Sequence, residues 1–271
     1  MASGLREAVR AFLLLAGMWV RVSMTYRASF AFSTFANLVT AGVDFGAIVV
    51  MFQHVHALGG FRLGEIAFLY GGTAMGIGLA DLAVGNIDRL GTRVRMGTVD
   101  AMMVRPVSVF VQACADQFAL RRLGRVVQGG AVLAWSLTVV HVPWTPGRVL
   151  MVPVLVVCGA LIFTSLFVLG GAFQFVTSEG SEVANAFTYG GNTLTQYPLT
   201  IYPAQAVKLL TFLVPVAFVN WYPALYVLDR PDPFGLPTAL QFASPVAALV
   251  LCTLAALGWR AGVRRYRSTG S

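Results

Sequence analysis

Apolar runs long enough to cross a lipid bilayer recur along this chain, and no other feature limits its fold so strongly. A bilayer core about 30 Å thick requires about 20 consecutive, mostly apolar helical residues. Such runs fall at about residues 29–52, 63–87, 126–144, 150–176 and 238–259. Only 11% of the residues are charged and the mean hydropathy is +0.75, whereas a soluble domain covers its surface with about 25% charged residues. A length of 271 residues would suit one or two soluble domains, but the apolar runs exclude that class.

The segments between the runs are less uniform. Residues 5–22 carry Leu5, Val9, Phe12, Leu13, Ala16 and Val20 at helical spacing, flanked by Arg6, Arg10 and Arg21. A secretory leader would show a small-residue cleavage site after this run. Arg21 and Arg27 follow instead, which fits an amphipathic helix lying in the membrane interface. Residues 107–120 are apolar but short and include Gln112, Asp116 and Gln117, so they predict a surface or half-buried helix. The fifth crossing has two candidates. Residues 178–200 lack lysine and arginine but are only moderately apolar, and 201–228 are apolar but broken by Pro203, Pro215 and Pro223. If 178–200 cross, 201–228 form a re-entrant hairpin, tolerable only where protein or water covers its backbone.

The arginines set the orientation. With six crossings, Arg6, Arg10, Arg21 and Arg27 share a side with the 89–125 loop arginines and with Arg260, Arg264, Arg265 and Arg267. That gathers fifteen of the 19 basic residues on one face, which the positive-inside rule makes cytoplasmic, both termini included. The expected organisation is an interfacial helix at 1–28, a six-helix domain at 29–260 with a charged loop at about 86–125, and a basic tail at 261–271. The net charge of +8 is thus a topology signal bracketing apolar runs, not the basic stripe of a nucleic-acid-binding domain.

Few residues suggest chemistry. His54, His56 and His141 sit at predicted ends of spans, and Cys114, Cys158 and Cys252 lie in apolar stretches without CxxC spacing, so neither set forms a recognisable metal site. No HExxH or GxSxG motif is present. A P-loop requires GxxxxGK[ST]; the single lysine, Lys208, is followed by Leu209. Any ATP used must therefore bind another subunit, and the chain itself has no cofactor motif. Asp44 lies well inside the first run and Asp81 toward the basic end of the second. Intramembrane acids face protein or water, so Asp44 suits either a translocation path or a structural hydrogen bond, whereas Asp81 suits the structural role. Gly42 and Gly46, and Gly72 and Gly76, have GxxxG spacing, which suits close packing within the bundle.

The strongest local signal is the loop segment 97–108: Gly97, Asp100, Arg105 and Pro106 mark a short amphipathic helix stopped by Arg-Pro. The pattern Gly-x-hydrophobic-Asp-x-x-hydrophobic-x-Arg-Pro, then Gln112 and the run Arg121–Arg125, resembles ABC-2-type transporter permeases. Tyr197-Pro198-Leu199-Thr200-Ile201-Tyr202-Pro203 and the later Pro215 and Pro223 motifs resemble them too, so the similarity covers nearly the whole chain. The resemblance implies an all-α integral membrane protein of six transmembrane helices, in a bacterial plasma membrane. It implies an N-terminal amphipathic connecting helix, a cytoplasmic coupling helix, and an outer re-entrant hairpin containing Pro203, Pro215 and Pro223. That assigns 178–200 as the fifth crossing. It further implies pairing with a second permease chain, identical or a sibling, and with separate ATPase subunits that bind ATP and Mg. Asn86, Asp88, Arg89, Arg93, Arg95, Gly97, Asp100, Arg105 and Pro106 would then lie at or near the ATPase contact. The mainly Phe, Leu, Val and Gly interior suits a hydrophobic or amphipathic cargo moved outward, and equally suits simple helix packing.

An ion-gradient transporter or channel using Asp44 is the competing reading. It predicts that Asp44→Asn abolishes pH-dependent transport measured without any ATPase present; retention of transport in that variant removes the ion-gradient reading.

Overall fold

The computed structural model describes residues 2–25, 27–177 and 180–266. Arg267 of the basic tail and positions 178–179 of the expected fifth crossing lie outside them. Among the described residues the chain is helical, with no strand. The helices are α1 (Ala2–Thr25), α2 (Arg27–Phe52), α3 (Leu63–Val84), α4 (Leu90–Arg95), α5 (Thr98–Met103) and α6 (Val109–Ala115). Then follow α7 (Leu123–Val139), α8 (Pro146–Gln174), α9 (Ser181–Thr195), α10 (Ala204–Lys208), α11 (Trp221–Val227) and α12 (Ser244–Arg265). Several boundaries depart from the apolar runs for local reasons. α8 starts at Pro146 because the Thr145 hydroxyl accepts a hydrogen bond from the Arg148 amide. Proline suits the first helical position, where its missing N–H leaves nothing unsatisfied. The last run splits into a 3-10 turn, Thr238–Phe242, and α12, which continues to Arg265.

The helix at the centre is α3, with Ile66, Phe68, Leu69 and Ile77 all buried. Its neighbours approach through glycines. A Cβ on Gly71 would lie 2.6 Å from the Leu133 amide nitrogen, and one on Gly129 2.7 Å from that of Met75. On the other side, a Cβ on Gly76 would lie 3.2 Å from the Gly159 carbonyl carbon. The order of contacts gives the directions. Gly64 meets Val139, Gly71 meets Leu133 and Gly78 meets Val126, so α7 runs antiparallel to α3 along its length. Gly72 meets Leu155 and Gly76 meets Gly159, so α8 runs parallel to α3. α12 lies parallel to α8, with Gly258 against Leu169 and Gly262 against Ala172. Of the two GxxxG pairs, Gly72 and Gly76 serve packing within the bundle; Gly42 and Gly46 face open space.

Among the described residues, five helical segments are long and apolar enough to cross a membrane: Arg6–Thr25, Arg27–Phe52, Leu63–Arg95, Pro146–Gln174 and Ser244–Arg265. A bent pair, Ala204–Leu213 with Val216–Val227, would make six. The chain is therefore a multi-pass membrane protein. The expected crossings at α7 and α9 are shorter, with 17 and 15 residues, yet α7 spans most of the depth of α3 beside it. α1 lies apart from the central bundle, with the Phe12 ring edge-on to Phe118 just beyond α6.

The bent pair turns by 82° at Val214 and Pro215. Proline removes the amide donor there and disfavours helix in the residue before it. Both ends of the pair lie beside the start of α3. Before it, the Thr200 hydroxyl donates to the Gly59 carbonyl at 2.9 Å; after it, Arg230 grips Glu65 with two bonds of 2.8 and 2.9 Å. Its second arm lies deeper, where the Asn220 amide donates to the carbonyls of Leu69 (2.9 Å) and Thr195 (2.7 Å).

Gly71→Ala is predicted to lower the unfolding temperature in detergent, with a loss of about 1–3 kcal/mol from overpacking against the α7 backbone. Gly42→Ala, which meets nothing within 4 Å, is predicted to leave it unchanged. Equal effects in a thermal-unfolding comparison would contradict the packing account.

Candidate functional site

At the end of the bundle where α3 finishes, residues 85–122 fold back as short helices fastened by buried polar side chains. The Asn86 amide donates to the Cys114 carbonyl at 3.1 Å, and Gln112 donates to the carbonyls of Met102 (2.8 Å) and Val107 (2.7 Å). Arg93, only 8% exposed, donates to the Ala113 carbonyl at 3.3 Å and lies 2.9 Å from the Asp116 carboxylate. Gln174 at the end of α8 accepts from the Gly91 amide at 2.6 Å. The Tyr189 hydroxyl of α9 donates to Asp88 at 3.1 Å. Burial pushes the Cys114 thiol up to about 12, so it stays protonated and unreactive at neutral pH.

These contacts sort the residues singled out in the sequence. Asn86 and Arg93 are buried ties inside the segment, and Asp88 is half-buried against Tyr189. Gly97 takes the left-handed conformation, φ +67°, that separates α4 from α5 and favours glycine. Asp100 is half-buried and faces Tyr266. Arg89, which bonds Gln117, and Arg95, Arg105 and Pro106 are exposed. Between them the segment shows solvent an apolar tip that charge-based reading overlooked: Met96 (65% exposed), Met103 (38%) and Val104 (85%). Of the three hairpin prolines, Pro203 precedes α10, Pro215 stands at the bend, and Pro223 lies in the first turn of α11.

Asp44 occupies a second place. With Asn37 and Thr40 of α2 it lines a cavity of about 120 Å³. The other walls include Tyr70 and Asp81 of α3, Arg121, Arg122, Arg125 and Gln128 at and in α7, and Asn192 and Gln196 at the end of α9. Arg122 closes one side, with Nε 3.4 Å from the Asp81 carboxylate and a hydrogen bond of 2.9 Å to the Asp81 carbonyl. Gln128 donates to the Ala41 carbonyl at 3.2 Å and to the Tyr70 hydroxyl at 3.1 Å. The sequence held a signal for this wall: Ser29, Ser33, Asn37, Thr40 and Asp44 recur at steps of three and four, one side of a helix. Among the described residues, no group of three or more His, Cys, Asp or Glu is placed to hold a metal ion.

Arg93→Glu sets two carboxylates against each other in a mostly buried position and is predicted to destabilise the fold by more than about 2 kcal/mol. Arg105→Glu, on the exposed surface, is predicted to leave the unfolding temperature within about 0.5 kcal/mol of the parent. Thermal unfolding of the two variants side by side checks this; equal stability would contradict the distinction between tie and surface.

The family model for ABC-2 family transporter protein matches residues 38–270, a stretch that takes in α3 to α12, most of α2, the folded-back segment and the cavity. No match to the chain was found among curated proteins or among solved structures. A match over most of the length, on a helical multi-pass bundle, places this chain in the ABC-2 transporter family as a membrane component.

Proposed function

We propose that this chain is the transmembrane subunit of an ATP-driven exporter, assembled from two permease chains and separate ATPase subunits that bind ATP and Mg. The observation that carries the proposal is the segment 86–106. A membrane subunit without a P-loop must receive force from a soluble partner through a surface that is rigid beneath and apolar at its tip. The buried bonds of Asn86, Arg93 and Gln112 supply the rigid base, and Met96, Met103 and Val104 supply the tip. Arg95 and Arg105 frame it. α5 is the coupling helix in this reading, and Asp88 with Tyr189 transmits its displacement to α9.

The proposed layout has six crossings, α2, α3, α7, α8, α9 and α12, in a bacterial plasma membrane. Both termini and the coupling segment face the cytoplasm, as the gathered arginines favour. α1 lies along the cytoplasmic interface as the connecting helix. Its Arg6, Arg10 and Arg21 lie opposite the face that carries Phe12, Ala16 and Trp19. The bent pair is the outer re-entrant hairpin, since both its ends sit beside the start of α3 and Asn220 of its second arm meets α3 at Leu69. α9 rises beside α3 as far as Thr195, and residues 196–200 complete the crossing. Outward movement and an amphipathic cargo are what the family resemblance favours.

The test is co-purification with a non-membrane P-loop ATPase encoded beside this chain. The parent chain is expected to retain the ATPase. Met103→Asp with Val104→Asp is expected to lose it while keeping the parent unfolding temperature. Retention of the ATPase by the folded double variant would remove α5 as the docking element.

A further inference from the structure

The polar cavity between α2, α3, α7 and α9 is built more elaborately than helix packing requires. Polar side chains in a span are costly and face protein or water, yet α2 carries a stripe from Ser29 to Asp44 on one side. Two buried acceptor oxygens in the cavity lack partners; they make it polar and do not by themselves favour an anion. Gln128 is 8% exposed and its Oε1 has no partner, and Asp81, 9% exposed, leaves its Oδ1 equally unmatched. The charges are uneven. Asp81 is occupied by Arg122, whereas Arg121 and Arg125, one helical turn apart, line the cavity with no ion-pair partner among the described residues. Two unmatched guanidinium groups at such spacing suit an oxyanion. The adjoining surface is apolar. Phe32, Phe35, Val39 and Val43 of α2 are exposed alongside its polar stripe.

We infer that this cavity takes the anionic head of an amphiphile, a phosphate- or carboxylate-bearing group on an alkyl body. Arg121 and Arg125 bind the anion, and the remaining amide hydrogens of Asn37, Asn192 and Gln196 supply hydrogen bonds. The alkyl part lies along the exposed apolar face of α2. The inference rests on the transport reading above, and narrows its cargo to anionic amphiphiles.

The test uses the full chain in nanodiscs of neutral lipid, without the ATPase, so that its result is separate from the co-purification experiment. Dodecyl phosphate is titrated against thermal unfolding, beside dodecyltrimethylammonium, dodecyl maltoside and inorganic phosphate at matched ionic strength. Saturable stabilisation by dodecyl phosphate alone is expected. Arg121→Gln with Arg125→Gln is expected to weaken it at least tenfold, Arg125→Lys to restore part of it, and Asn37→Leu, on the exposed face of α2, to weaken it severalfold. Equal stabilisation by the ammonium amphiphile, or an unchanged affinity in the folded double variant, would overturn the anion assignment. Equal affinity for inorganic phosphate would overturn the amphiphile assignment, and no saturable binding of any probe would overturn the site.

Discussion

Lipid tails are as apolar as the helices they surround, so α3 gains little from being apolar; it is held by how closely α7 and α8 can approach its glycines. Gly71, Gly78 and Gly129 bring one backbone against the next on the α7 side, and on the α8 side Gly76 meets the Gly159 backbone while Gly72 receives the Leu155 side chain. With α3 fixed, the remaining architecture has a reference. Its start receives Arg230 on Glu65, its middle receives Asn220, and its end receives Arg122 on Asp81. Each contact is a polar interaction that would be costly to leave unmade in a low-dielectric interior.

The two ends of the bundle solve different problems. Around the start of α3, side-chain bonds bring residues 200, 229 and 230 against residues 59–65 and 148, and so close the ends of the bent pair over the helices. Around its end, Asn86, Arg93, Gln112 and Gln174 bind backbone groups of short segments that also bury Ile87, Leu90 and Val99. The first arrangement suits a plug, and the second a lever. Asp88 and Tyr189 link the lever to α9, whose other end borders the polar cavity. In the proposed mechanism this is the shortest physical connection between ATPase docking and cargo.

Much of this was legible in the residues, for identifiable reasons. The apolar runs located α2, α3, α8 and α12 because a span must be nearly continuous in hydrophobicity. Pro215 located the bend because a missing amide donor is visible in sequence. Arginines proved ambiguous, since a guanidinium can mark topology, tie a fold or line a cavity. Arg93 was read as surface and is buried on Asp116, whereas Arg121 and Arg125 were read as topology signals and line the cavity. Gln128, Asn192 and Gln196 could not be found, because a lone amide in an apolar run carries no partner with it; the partner comes from another helix. Met96, Met103 and Val104, at the ends of α4 and α5, were not singled out within or beside the 97–108 segment because apolar residues in such short elements have the composition of a buried face. The stripe on α2 was the readable exception, its steps of three and four being a property of one helix.

Sidedness is the claim on which coupling, hairpin and cargo path all depend. It is tested most directly by single cysteines introduced at His56 and Val104 in a background lacking Cys114, Cys158 and Cys252, with a membrane-impermeant maleimide applied to intact cells. The account predicts that the cysteine at 56 reacts from outside and the cysteine at 104 only after the membrane is opened. Labelling of both positions in intact cells, or of 104 alone, would contradict it.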